Sequence, residues 1–136
     1  MGDPETEVVM PRLRSDILDL FEGVATTTLS ERDVVFYDKT ACAVMMVSGG
    51  YPQAYEKEKE ITGVNSIVDS IVFHAGTRKD GAKTISAGGR VICVTSYGQD
   101  FEKALATSYE NVKKIKFDGA YYRKDLGFDL ELPEKN

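Results

Sequence analysis

Gly88-Gly89-Arg90-Val91-Ile92-Cys93-Val94-Thr95-Ser96, followed after Tyr97-Gly98-Gln99 by Asp100-Phe101-Glu102-Lys103-Ala104-Leu105, decides the fold class. Two glycines open an apolar run rich in β-branched residues, the profile of a buried strand entered through a tight turn. The apolar period then changes. Phe101, Leu105, Tyr109 and Val112 fall at i, i+4, i+8 and i+11, with Ala104 and Ile115 widening the stripe, so Asp100 to about Lys116 is expected as an amphipathic helix. Asp100 can accept the orphan amide hydrogens of its first turn. Working outward, Ala41 to Val47 reads as a second buried strand closed by Ser48-Gly49-Gly50, and weaker strand signals stand at Ile71-Val72-Phe73 and Ala82-Lys83-Thr84-Ile85. Gly63, Gly76, Gly81, Gly88 and Gly98 separate these short runs, which favours antiparallel hairpins over βαβ crossovers. The expected class is α+β: a curved, mostly antiparallel sheet with one long helix packed on it.

Before this body, Leu13, Ile17, Leu20, Phe21 and Val24 share one helical face, so a helix is expected from about Pro11, with proline in its first turn and Gly23 at its fraying end. The polar run Thr26-Thr27-Thr28-Leu29-Ser30-Glu31-Arg32 is the expected boundary between residues 1–30 and the body of 31–136. Leu132-Pro133-Glu134-Lys135-Asn136 reads as a loose tail.

A chain of 136 residues suffices for a core without staples. Cys42 and Cys93 lie in apolar runs without Cys-x-x-Cys spacing and read as buried free thiols of a reducing compartment. The formal net charge of −5 argues against a nucleic-acid footprint, and Lys113-Lys114 with Lys116 reads as a solvated helix end. No apolar run approaches the roughly 20 residues that span a bilayer, so the expectation is a soluble, cytoplasmic protein with no membrane partner.

Two places invite chemistry. A carboxylate at Asp3 can orient an amine by charge and hydrogen bonding, although an Asp before Pro4 is also an ordinary turn residue. At Gly88-Gly89-Arg90 the glycines permit close backbone approach to an anion and the arginine fork matches phosphate; the same residues equally make a hairpin turn with an exposed arginine. Lys57 could add positive charge. His74, the sole histidine, reads as a core or edge residue, and no second His or Cys supports a dyad or a metal set.

Several blocks come in a recognisable order: Gly2-Asp3-Pro4-Glu5-Thr6, Ser48-Gly49-Gly50-Tyr51-Pro52, Tyr55-Glu56-Lys57, Ile61-Thr62-Gly63, Val72-Phe73-His74-Ala75-Gly76-Thr77, Gly88-Gly89-Arg90-Val91, Val94-Thr95 and Tyr122-Arg123-Lys124-Asp125-Leu126-Gly127. Together they resemble the carboxyl-terminal domain of the phosphoribosylamine–glycine ligases, purine-pathway enzymes with an ATP-grasp region. Glu58 departs from the pattern, which has glycine there. The resemblance implies that residues 1–30 are a remnant of the ATP-grasp region and that the chain is cut from a longer protein, inactive alone. It implies ATP and Mg2+ as cofactors of the full-length enzyme, held upstream, with none in this fragment, and 5-phosphoribosylamine, glycine and ATP as small-molecule partners. It further implies substrate binding by Asp3, with Glu5 supporting the loop, and by Gly88, Gly89 and Arg90 at the 5′-phosphate; no catalytic or metal-binding residue is implied here. Two rival readings are a standalone sugar-phosphate-binding module and an interaction domain that docks through the helix Pro11 to Val24.

Overall fold

The computed structural model describes residues 2–130; the expected tail from Leu132 lies outside them. The chain order is α1 (Thr6–Arg12), α2 (Ile17–Ala25), a 3-10 turn at Leu29–Glu31, β1 (Thr40–Ser48), β2 (Glu60–Ile61), a 3-10 turn at Val64–Ser66, β3 (Ser70–His74), β4 (Thr77–Asp80), β5 (Lys83–Ser86), β6 (Arg90–Gly98), α3 (Phe101–Val112) and β7 (Ala120–Tyr121). The α+β class and the antiparallel pairing are as expected. The strands form two sheets instead of one, ordered β3-β6-β1-β7 and β2-β5-β4. The split follows from the β4–β5 hairpin, which turns at Gly81 and pairs with β2. It leaves the main sheet where the Ala87 N–H donates to the Gly76 carbonyl at 2.8 Å.

The centre is the β1–β6 pair, which runs from Thr40 opposite Gly98 to Val47 opposite Arg90. Even-numbered β1 residues Cys42, Val44 and Met46 face inward with Ile92, Val94 and Ser96, and α3 covers that face. Val91, Ile92, Val112, Ile115 and Phe117 complete the core. Burial of each such aliphatic side chain contributes about 1.5–3 kcal/mol. The α3 stripe is rotated from the expected one. Ala104, Ser108, Asn111 and Val112 are its buried residues, whereas Phe101, Leu105 and Tyr109 flank them half-buried. The small residues let the helix come close: a Cβ on Gly98 would stand 2.3 Å from the Ala104 nitrogen. The buried polar side chains between α3 and the sheet are paired. The Ser108 hydroxyl donates to the Cys42 carbonyl at 2.9 Å and lies 2.8 Å from the Ser96 hydroxyl, while the Asn111 amide donates to Ser70 Oγ and to the Val68 carbonyl at 2.6 Å. Asp100 caps α3 as expected, accepting from the Lys103 N–H at 2.8 Å.

The single helix expected from Pro11 to Val24 is two helices, and Pro11 lies near the end of the first. Proline has no N–H for the Glu7 carbonyl four residues back. The Thr95 hydroxyl of β6 donates to that carbonyl instead, at 2.9 Å, and the Tyr97 hydroxyl donates to the Pro11 carbonyl. The helix is thereby pinned to the sheet face opposite α3. Leu13 to Ser15 then run extended beside residues 35–37, with the Arg14 N–H donating to the Val35 carbonyl at 2.8 Å, and Asp16 caps α2. Of the expected apolar stripe Leu20 is buried, but Phe21 and Val24 are exposed. Gly23 is not a fraying end; it is buried inside α2, where a Cβ would stand 3.2 Å from the Leu29 Cα.

Glu58 adopts φ +65°, the left-handed region that favours glycine. Its N–H donates to the Ser86 carbonyl at 2.7 Å, holding the conformation, and its carboxylate pairs with Arg78 at 2.7 Å. Glu58→Gly and Glu58→Ala both remove the ion pair, so their difference reports the backbone alone. The Gly variant should be the more stable by about 1 kcal/mol in urea unfolding.

Candidate functional site

The carboxylate and the arginine singled out in the sequence meet. Arg90 Nη2 donates to Asp3 Oδ2 at 2.7 Å, and Nη1 to the Asp3 carbonyl at 3.4 Å, across a separation of 87 residues. Both side chains reach solvent, Asp3 with 65% of its side chain exposed and Arg90 with 37%. Arg90 reaches this position through a bulge in β6. Met46 pairs with Ile92, but the next residue, Val47, pairs with Arg90, so one extra residue enters β6. In a regular strand Arg90 would face the core with Ile92 and Val94. The bulge sends Val91 inward and puts Arg90 on the face of Val47, Cys93 and Thr95, where α1 lies.

Gly88 and Gly89 are held by packing on both sides. The Gly88 N–H donates to the Gly76 carbonyl at 3.2 Å; the Gly88 carbonyl accepts from Ser48 Oγ at 3.0 Å, and the Gly89 carbonyl from the Ser48 N–H at 2.8 Å. Tyr51 packs on Gly89 so closely that a Cβ there would lie 2.0 Å from the ring. A Cβ on Gly76 would lie 2.2 Å from the Arg90 carbonyl. Ser48, Tyr51 and Gly76 therefore build the turn that carries Arg90. Ser48 is a polar residue in an inward-facing position of β1, a signal open to sequence reading.

Glu5 stands at the start of α1, exposed, its carbonyl accepting from the Val9 N–H at 2.9 Å. Lys57 Nζ lies 5.8 Å from the Tyr55 ring centre and lines a cleft of about 440 Å3 with Glu58, Arg78, Ser86 and Ala87. His74 is exposed, its Nδ1 2.9 Å from Thr77 Oγ1. It borders a cleft of about 620 Å3 between the smaller sheet and residues 62–65. That cleft contains neither Asp3 nor Arg90. Its cations already have partners: Arg78 with Glu58, Lys83 with Glu60, and Lys79 with the Thr84 hydroxyl. Among the described residues no group of three or more His, Cys, Asp or Glu could hold a metal ion, and no helix is long and apolar enough to cross a membrane.

Under α1 lies Cys93, its thiol beside the Glu7 carboxylate. Burial, then the Glu7 carboxylate, pushes the Cys93 thiol up to about 12, with a smaller push from Asp3. Burial alone raises Cys42 to about 11. Both cysteines are free and buried.

Residues 41–129 match the family model described as phosphoribosylglycinamide synthetase, C domain. The chain belongs to this family. It is 40% identical over 127 residues to the phosphoribosylamine–glycine ligase of Clostridium acetobutylicum, covering 93% of this chain and 30% of that protein. It is also 40% identical over 130 residues to the trifunctional purine biosynthetic protein adenosine-3 of Gallus gallus, covering 93% of this chain and 13% of that one. The crystal structure of the phosphoribosylamine–glycine ligase of Thermotoga maritima superposes with a TM-score of 0.73 at 31% identity, over 92% of this chain and 31% of that chain. The chain thus spans about a third or less of the proteins it matches, and it shares with them the domain that carries the Arg90 turn.

At pH 8 both thiols stay protonated, so alkylation by iodoacetamide should be roughly a hundredfold slower in the folded chain than in urea. The raised values also set a sign. The folded state binds these protons more tightly than the unfolded state, whose thiols titrate near 9.0. Their contribution to stability is complete below that pH and is lost as pH rises through 11 to 12, which urea unfolding at increasing pH would register.

Proposed function

We propose that this chain is the carboxyl-terminal part of a phosphoribosylamine–glycine ligase, which joins glycine to 5-phosphoribosylamine at the expense of ATP in purine synthesis. In this reading residues 1–30 belong with the ATP-grasp region and 31–136 form the carboxyl-terminal domain; the family match, beginning at residue 41, supports that division. The observation that carries the reading is the Asp3–Arg90 pair. It joins the Gly2-Asp3-Pro4-Glu5 turn to the glycine turn before β6, the two segments that the resemblance assigns to substrate.

Each residue then has a task. Asp3 holds the ribosyl amine by accepting its N–H, which fixes the nucleophile without protonating it. Arg90 fixes Asp3 and, because a guanidinium carries more N–H donors than the two directed at Asp3, can also receive the 5′-phosphate. Gly88 and Gly89 shape the turn from which Arg90 reaches, and Glu5 supports the opposite one. ATP supplies the activation of the glycine carboxylate. In this reading the ATP-grasp region holds magnesium and nucleotide, and no step here depends on them.

The test joins this chain to the upstream part of the Clostridium acetobutylicum ligase in place of the matching segment. The purified, soluble enzyme should form glycinamide ribonucleotide; a folded enzyme without that activity would overturn the reading. In the active enzyme Arg90→Ala should raise KM for phosphoribosylamine about tenfold or more, leaving KM for ATP unchanged. An unaltered KM for the amine removes Arg90 from the site.

A further inference from the structure

The amino-terminal segment turns a bare apolar face outward. Leu18, Phe21 and Val24 stand at i, i+3 and i+6 of α2, on one side of the helix, and are 71%, 55% and 60% exposed. The other side is already occupied, with Leu20 and Gly23 buried and Gly23 packed on Leu29. Val34, Val35, Phe36 and Tyr37 are exposed as well, in an extended stretch that pairs with residues 12–15 and belongs to neither sheet. Ser15 ties the two parts together. Its hydroxyl donates to the Asp33 carbonyl at 2.6 Å and accepts from the Val35 N–H at 2.8 Å, immediately before the Asp16 cap of α2. Isolated exposed apolar residues are ordinary on a protein surface, but a concentration of them in one segment marks an interaction site.

A second observation on this segment points the same way. Arg12 Nη2 donates to the Tyr37 carbonyl at 3.3 Å, and the guanidinium stands 6.0 Å from the Phe36 ring centre. Its Nε is buried and has no hydrogen-bond partner among the described residues. A buried N–H is unfavourable when unpaired, so the surface lacks an oxygen acceptor as well as an apolar cover.

The position of the face in the chain identifies what covers it. The match to the carboxyl-terminal domain begins at residue 41, so all of these residues precede it. They still lie in the stretch shared with the Clostridium acetobutylicum ligase, which takes in 93% of this chain and only 30% of that protein. We infer that Leu18, Phe21 and Val24 of α2, with Val34 to Tyr37, form an interdomain docking surface whose occupant is the upstream, ATP-grasp part of the ligase chain. This rests on the functional reading above and adds to it the residues of the junction, which runs past residue 30 to Tyr37. The upstream region supplies apolar side chains to α2 and an oxygen acceptor to Arg12. A symmetric pair of copies would instead bring two more such arginines, which only donate, to the same interface.

The experiment uses the ligase assembled as above, with Leu18→Cys or Phe21→Cys on the face and Lys79→Cys, on exposed β4, as the control. In the active enzyme, alkylation by iodoacetamide, followed site by site by mass spectrometry, should be at least tenfold slower at residues 18 and 21 than at 79, whatever the protein concentration. Hydroxyl-radical labelling of Leu18 and Phe21 in the unsubstituted ligase, relative to the urea-unfolded chain, should show the same protection and requires no variant to fold. Modification of both residues at the control rate overturns the inference, and protection that fades on dilution overturns it in favour of a second copy. An assembled enzyme without ligase activity would instead remove the reading beneath it, which is known before any cysteine is introduced.

Discussion

One extra residue in β6 governs how this domain presents its chemistry. Between Met46 and Val47 the β1–β6 register shifts, and the strand changes phase. Met46 pairs with Ile92 and Val47 with Arg90, so Val91 is the extra residue, and it is fully buried. The apolar gain stabilises the bulge. Its consequence is that Arg90, in phase with the core by simple counting, emerges on the opposite face. The neighbouring Gly88-Gly89 turn is compressed between Gly76, Ser48 and Tyr51, so the arginine leaves a rigid platform rather than a mobile loop.

The two faces of the main sheet are covered by different means. On one, α3 packs through small residues and a chain of paired polar atoms from Cys42 through Ser108 and Ser96 to Ser70 and Asn111. Every member is satisfied within the fold, so the network fixes the helix position without an orphaned group. On the other, α1 is held by its own carbonyls. Pro11 frees the Glu7 carbonyl, and β6 supplies the hydroxyls of Thr95 and Tyr97 at a spacing of two residues, the strand repeat. The amino-terminal helix is thus fitted to the strand that also carries Arg90.

The sequence made the strands and α3 legible because their apolar periods are long and their caps conventional. It made the two-helix break illegible for a definite reason: Leu13, Ile17 and Leu20 keep helical spacing across a segment whose backbone pairs with residues 35–37. The bulge left no trace either, because Val91-Ile92-Cys93-Val94 is apolar throughout and a phase change within it alters no pattern. Thr77–Asp80 escaped notice because its residues, Thr-Arg-Lys-Asp, are those of a charged, exposed edge. At the site, Asp3 and Arg90 could be named from chemistry and resemblance, but their contact could not, since it depends on the bulge and on the docking of α1.

The Asp3–Arg90 pair is too exposed to hold the amino-terminal turn in place. Surface ion pairs of this kind contribute about 0–1 kcal/mol, with Asp3 more than half exposed. The turn is held instead by the carbonyl contacts of α1 with Thr95 and Tyr97, which lie further along β6 and do not involve either charge. Because position is secured elsewhere, the pair can exchange partners at little cost to the fold. An arginine that gave up one N–H to a phosphate, or an aspartate that turned one oxygen to an amine, would leave α1 where it is. That separation of scaffold from charge is what a substrate-binding face requires. It also explains why the two residues can stand in contact with each other here while remaining suited to a third party between them.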